Sequence, residues 1–307
     1  MDSNIKKVVI SGSSGLLGTA LSSYLIKKGF TLLRLVRRPE AAENEIFWNP
    51  LTGEIDAQKL EGTDAAINFS GRNIGLGRWT KKRKKEIFES RVNSTRLLAE
   101  TLSKLKDPPH SFISASAIGY YGDSGAEFMN EGAEPGTGFL PDLCVHWEEA
   151  TKPAMKAGLR VVQMRSGVVL TADGGALAQM LPPFKMGVGG KLGNGKQYFS
   201  WIDIDDYVRA VYHLMTSDSI QSPVNVASPE PVTNSEFTAV LARVLRRPAF
   251  IPIPGFVLKL LFGQVAEEIL LSSSRVIPQI LLGSGFEFKY PDLENALRKC
   301  LNKPKPE

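Results

Sequence analysis

Cysteine is nearly absent from the 307 residues: Cys144 and Cys300 are the only two, too few and too far apart for a disulfide framework or a zinc site. Histidine is scarce too, at three residues, so no metal centre is expected. No apolar run approaches the ~20 residues that span a bilayer. The stretch FVLKLLFG at 256–263 is short and carries a lysine. The chain enters a strand almost at once, with no apolar segment and small-residue cleavage site ahead of it. A secretory leader is therefore not expected, and a reducing, cytoplasmic setting is. Net charge is +5 and the isoelectric point about 9.1, which suits either an anionic ligand or a merely basic surface. Neither nucleic acid nor membrane is expected as a partner. At 43% hydrophobic and 22% charged residues the composition is globular, so disorder is not indicated.

Glycine, in contrast, is abundant and placed with a pattern. Val8 to Ile10 has the length and β-branching of a buried strand. Gly12, Gly15 and Gly18 follow at three-residue spacing, and a helical pattern begins at Leu16, Leu17, Leu21 and Leu25. A strand, a tight turn and a helix in this order let a pyrophosphate approach free amides at the positive end of the helix. The expected cofactor contacts here are Gly12, Ser14, Gly15, Leu16, Leu17 and Gly18.

The next strand, Thr31 to Val36, runs into Arg37 and Arg38. Where an acidic residue would bind the adenosine ribose of NAD, two cations stand instead, and a 2′-phosphate supplies the charge they need. The expected cofactor is NADP. Trp48-Asn49-Pro50 and Thr52-Gly53 then read as a turn or hairpin. Asp64 to Phe69 reads as a buried strand ending in Ser70-Gly71, so Phe69, Ser70 and Gly71 are expected beside the cofactor. The basic run Lys81–Lys85 continues into Ile87, Val92, Leu97 and Leu98, which makes it the solvated face of a helix. Arg91, near the inner end of that helix, is a candidate cofactor contact.

The strand Ser111 to Ala115 leads into Ser116-Ala117-Ile118-Gly119-Tyr120-Tyr121-Gly122. Ser114 is assigned to the cofactor. Ser116, at the carboxyl end of a strand, is placed to hold a substrate carbonyl or hydroxyl. Arg160 to Leu170 reads as one strand interrupted by Arg165, and the glycine- and proline-rich stretch 182–206 as a flexible loop, either a lid over the site or a linker. Asp203, Asp205 and Asp206 are expected to cap a helix rather than bind metal, and Thr233-Asn234-Ser235 to cap another.

Taken together, SGSSGLLG, SASAIGYYG, the PPFKMGVGG…WIDIDD stretch and the tail RVIPQILLGSGFEFKYPDLENAL resemble the epimerase-like atypical short-chain dehydrogenases/reductases, over residues 5 to 301. The resemblance implies an α/β Rossmann-type doubly wound parallel sheet, NADP binding and a small C-terminal α+β substrate domain. The expected division is 1–175 plus 200–228 for the NADP-binding domain, 176–199 plus 229–302 for the smaller one, and 303–307 as a disordered tail. It also implies that Arg165 to Val169 border the cofactor. Relatives use a Tyr-x-x-x-Lys pair on the helix after Ser116 for proton exchange. The corresponding segment, Phe139 to Glu149, has neither residue, so Tyr120 or Tyr121, or else His146 or Glu148, is expected to substitute. Three functions follow: an NADP(H)-dependent oxidoreductase on a small carbonyl or alcohol, a non-catalytic NADP(H)-responsive binding protein tied to cell division, or a nucleotide-sugar epimerase or dehydratase. The substrate is a small molecule, and the chain a monomer or a homodimer that pairs through 83–102.

Overall fold

The computed structural model describes residues 5–39, 42–75 and 77–304. Of the tail 303–307, residues 305–307 lie outside the described residues. The first strand, β1 (Lys7–Ser11), is followed by α1 (Leu16–Lys27) and β2 (Thr31–Val36). Val8, Val9 and Ile10 are fully buried, each contributing roughly 1.5–3 kcal/mol by leaving water. β2 pairs parallel with β3 (Glu45–Asn49), which turns through Gly53 into the antiparallel β4 (Glu54–Ile55), the hairpin expected there. β5 (Ala65–Asn68) lies on the other side of β1, and α2 (Lys81–Leu102) leads to β6 (Ser111–Ala117). The strands Arg160–Ser166 and Ser222–Val226 complete an eight-stranded sheet. Its order from that edge is 222–226, 160–166, β6, β5, β1, β2, β3, β4, parallel throughout except at β4.

The chain leaves β1 toward β2 on one side and returns to β5 on the other. The crevice at the carboxyl ends of β1 and β5 is therefore the switch point where open α/β sheets bind ligands. Both faces of the sheet are buried, one against α1 and the helix Ile204–Thr216, the other against α2. A third core joins the helices Gly175–Lys185, Asn234–Leu245 and Leu293–Cys300, and takes in Leu170 and Trp201 from beside the sheet. Leu281 and Phe286 pack instead on the main core.

Two expectations need correction. Arg165 does not interrupt its strand: the break is at Gly167, after which Val168–Leu170 leaves the sheet to pair with Trp201–Asp203. A side chain at Gly167 would meet the Ser200 carbonyl at 3.0 Å. Nor is 182–206 a loose loop. Pro182 and Pro183 lie within the helix Gly175–Lys185, at the expense of two ladder hydrogen bonds. The glycines after it are contact points: a Cβ on Gly190 would fall 1.8 Å from the Ile251 carbonyl, and one on Gly195 2.1 Å from Ser235 Oγ. Two helix caps are as expected. Asp203 accepts from the Asp205 amide, and Thr233 forms a reciprocal capping box with Glu236. No group of three or more potential metal ligands gathers among the described residues, and no described helix is long and apolar enough to cross a membrane.

His213 gives the fold a pH dependence. It sits on the helix Ile204–Thr216, 2.9 Å from Ser284 Oγ and 5.5 Å from the Phe286 ring centroid, and burial holds its pKa below the ordinary 6.5. A folded pKa below the unfolded one means that the stabilisation is complete above pH 6.5 and is lost as pH falls. The urea midpoint is expected to drop between pH 7.5 and 5.5, and less in His213→Gln.

Candidate functional site

The turn between β1 and α1 is fixed by close backbone approach. Gly12 has φ +67°, and a Cβ there would lie 2.7 Å from the Phe69 carbonyl at the end of β5. On Gly18, a Cβ would lie 2.2 Å from the Gly12 carbonyl. Gly15 occupies the N-cap of α1 with no capping side chain, and the first turn holds no acidic residue. The amides and positive dipole end of a twelve-residue helix are thus left for an external anion. This cradle fits a dinucleotide pyrophosphate.

From it a cleft of about 690 Å³ runs across the switch point. Gly12, Gly15, Leu16, Leu17 and Gly18 line its first end, Phe69, Ser70, Gly71 and Arg91 its middle, and Ser116 its floor beyond. Its far wall includes Phe199, Ile269 and Leu270. These ten expected site residues are brought together.

Seven others are not. Ser14 is exposed outside the cleft. Ser114 is buried inside β6, clear of the cavity. Arg37 and Arg38 stand exposed past the end of β2, also outside it. Arg38 is held by Glu45, whose carboxyl lies below its usual range because the Ala42 amide and then Arg38 bond to it. Among the described residues Arg37 has no ion-pair partner. The remaining three form a scaffold beneath the floor, with Tyr121 and Arg165 buried and Tyr120 half-buried. Arg165 donates Nε to Glu148 Oε1 at 2.8 Å, Nη2 to Glu148 Oε2 at 2.9 Å and Nη1 to the Tyr121 hydroxyl at 3.1 Å. Its guanidinium lies 3.4 Å from the Tyr120 ring centroid, and the Tyr121 hydroxyl donates to Asn225 Oδ1 at 2.7 Å. Burial would lower the Arg165 pKa, but the bond to Glu148 and its charge raise it well above the ordinary value. Burial raises both tyrosines, which keeps them protonated. Arg165 is 3% exposed and does not border the cleft, because its strand turns it toward α3 (Phe139–Glu149) and not toward the turn at Gly12.

The α3 wall explains what stands in place of the Tyr-x-x-x-Lys pair. Leu140 and Cys144, four residues apart and so on one helix face, both line the cleft. One is apolar. The other is a thiol pushed up to about 12 by burial and then by Glu148, hence un-ionised and inert. His146 points elsewhere, bonding the Asp142 carbonyl at 2.7 Å beside the Phe88 ring. Glu148 reaches the floor through Ser116, whose Oγ donates to Glu148 Oε1 at 2.7 Å. Arg91 lies with its guanidinium against Gly71 and 5.1 Å from the Trp147 ring centroid, and burial lowers its pKa to about 10. It is the only cation lining the cleft among the described residues.

Two features escaped sequence reading. Asn68, fully buried at the end of β5, accepts from Ser11 Oγ at 2.5 Å and donates to Thr95 Oγ1 at 2.7 Å. Thr95 also accepts from Trp147 Nε1 at 2.9 Å, so one chain of hydrogen bonds aligns β1, β5, α2 and α3 around the cleft. A polar residue ending an apolar strand is the one signal that pointed there. The second is Glu268, from the C-terminal region. Its carboxylate accepts from the Phe139 and Leu140 amides at 3.2 and 2.8 Å, capping α3 in place of Gly138, which has no side chain.

Comparison with known proteins identifies the family and the fold. The profile of the NAD dependent epimerase/dehydratase family matches residues 8–227, and that of a domain of unknown function, DUF1731, matches 253–300. The epimerase family protein MT2273 of Mycobacterium tuberculosis is 41% identical over 297 residues, covering 97% of this chain and 98% of the relative. The human epimerase family protein SDR39U1 is 35% identical over 298 residues, covering 96% and 99%. A crystal structure of human SDR39U1 (isoform 2) with NADPH superposes with a TM-score of 0.89 at 33% identity, over 96% of this chain and 99% of that one. A nucleoside-diphosphate sugar epimerase from Corynebacterium glutamicum gives 0.81 at 36% identity, over 98% of this chain and 59% of that one. The chain belongs to the NAD dependent epimerase/dehydratase family, and in it the region matching that family is followed by one matching DUF1731.

Proposed function

We propose that this protein binds NADP(H) along the cleft and exchanges hydride with a small carbonyl or alcohol of largely apolar body. The observation that carries the reading is the unbroken cavity from the uncapped end of α1 to Ser116. The NADPH-containing human relative supports the choice of cofactor. When bound, the cofactor supplies the hydride. The turn amides hold the pyrophosphate, and Arg91 offers a desolvated positive charge beside Gly71. Ser116 Oγ holds the substrate oxygen: in oxidation the proton of the substrate hydroxyl passes through it to the Glu148 carboxylate that Arg165 keeps in place, and in reduction the carboxylic acid returns that proton through Ser116 to the new alkoxide. Leu140, Leu143 and Cys144 keep water from the reacting atoms.

Arg37 selects the phosphate-bearing cofactor, since Arg38 is engaged by Glu45. Arg37→Glu is expected to weaken NADPH binding about ten- to a hundredfold and leave NADH unaffected, because a charge-assisted bond is worth roughly 1.5–3 kcal/mol. Fluorescence titration with both nucleotides checks this. NADPH consumption over a panel of apolar aldehydes and ketones then tests the reaction: turnover that Ser116→Ala removes supports it, and none with any compound sinks it.

That last outcome would favour a second reading, an NADP(H)-responsive binding protein, for which the specific observation is that α3 faces the cleft with Leu140 and the inert Cys144 and contains neither tyrosine nor lysine. A nucleotide-sugar epimerase fits less well. The diphosphate of such a substrate needs cations of its own, and Arg91 alone lines the cleft among the described residues.

A further inference from the structure

The C-terminal region carries a surface that the cleft does not use. No acidic residue occurs in 174–202 or in 237–266. The two acid-free segments lie side by side: the Gly193 amide donates to the Ile253 carbonyl, and the Ile253 amide to the Lys191 carbonyl, both at 2.9 Å. Gly190 sits directly against the Ile251 backbone.

Along this seam runs an exposed apolar ridge. Met186 and Val188 leave one segment, and Phe250, at 78% exposure, leaves the other. The ridge continues onto the helix Gly255–Phe262, where only Leu258 is buried and Phe256 and Leu260 are each 72% exposed. Single exposed apolar residues are ordinary, but a continuous set of this size marks a contact surface. Its borders are cationic. Lys185, Lys191, Lys196, Arg246 and Arg247 are exposed, and among the described residues none of them has an ion-pair partner. On the opposite flank Arg78, just ahead of the basic run Lys81–Lys85, donates to the Leu260 carbonyl at 2.7 Å. Two acids reach the second segment, and both are paired: Glu267 with Lys259 at 3.2 Å and Glu294 with Arg243 at 2.6 Å.

We infer that this face docks on an anionic lipid bilayer. Large apolar side chains enter the headgroup boundary and the surrounding cations meet the lipid phosphates. A second copy of the chain fits less well, because it would oppose its own unpaired cations to the same set. The inference goes beyond NADP(H) binding and stands or falls without it.

Flotation of the full-length protein with vesicles tests it. Phosphatidylcholine vesicles containing about one third phosphatidylglycerol are expected to bind the protein at least ~tenfold more tightly than phosphatidylcholine alone, with binding lost in high salt. Phe256→Ser/Leu260→Ser and Lys185→Glu/Arg247→Glu should each cut that binding by about tenfold or more, while NADPH affinity and thermal midpoint, the controls for folding, stay at the native values. No binding to the anionic vesicles would overturn the inference. So would equal binding by the folded Phe256→Ser/Leu260→Ser variant, or a vesicle-free dimer that this variant dissociates.

Discussion

Replacing Gly18 by alanine is expected to weaken NADPH binding about a hundredfold. In an open helix this substitution would stabilise by up to ~1 kcal/mol. Here the added methyl falls 2.2 Å from the Gly12 carbonyl and 2.7 Å from the Ser13 Cα, both backbone atoms that no rotamer change relieves. The turn must move off α1, and the amides that it aims at the pyrophosphate move with it. Losing two charge-assisted bonds at the low end of their range, roughly 1.5 kcal/mol each, costs about 3 kcal/mol, or about two decades in affinity. Fluorescence titration with NADPH reads the effect. Gly283→Ala, in the short helix Gln279–Gly283 where a Cβ meets open space, is the matched substitution and should leave affinity unchanged. Equal affinity for Gly18→Ala and the native protein would remove the cradle from the binding site.

Arg165→Met is expected to be the most destabilising single change near the site. It strips the Glu148 carboxylate of a bidentate partner and leaves the charge in a 10% exposed setting. It also removes the donor to the Tyr121 hydroxyl and the cation over the Tyr120 ring. Breaking a buried pair from one side costs about 3–5 kcal/mol, a large part of the ~5–15 kcal/mol that holds a domain together. The urea midpoint should fall accordingly. Glu148→Gln added to Arg165→Met should recover part of the loss, because the stranded charge is then gone. If Arg165→Met instead left stability intact and weakened NADPH alone, Arg165 would be a cofactor contact, as the family resemblance implied.

The contrast between these two residues shows what sequence made legible. Gly12, Gly15 and Gly18 could be read because a turn is local: the residues that need the space lie within a few positions, and only Phe69 comes from far off. The loss of the Tyr-x-x-x-Lys pair was legible for the same reason, as a helix face repeats every three or four residues. Arg165 was not. A strand buried on both faces carries no alternation to say which way each side chain points, and its partner Glu148 lies on α3. Pro182, Pro183 and the glycines after them suggested looseness by composition, yet their use is set by Ile251 and Ser235, some forty to sixty residues on. Asn68 and Thr95, 27 residues apart, meet only because β5 and α2 fold across one another.

The cap that Glu268 places on α3 also bears on the order in which the molecule can be made. During synthesis the strands and helices up to Val226 emerge first and can assemble the sheet. Helix α3 nevertheless stays open at its first turn until a carboxylate 129 residues after Phe139 leaves the ribosome. The inner wall of the cleft is therefore among the last parts to become rigid. A chain interrupted before position 268 would carry a dinucleotide cradle facing an unfinished wall.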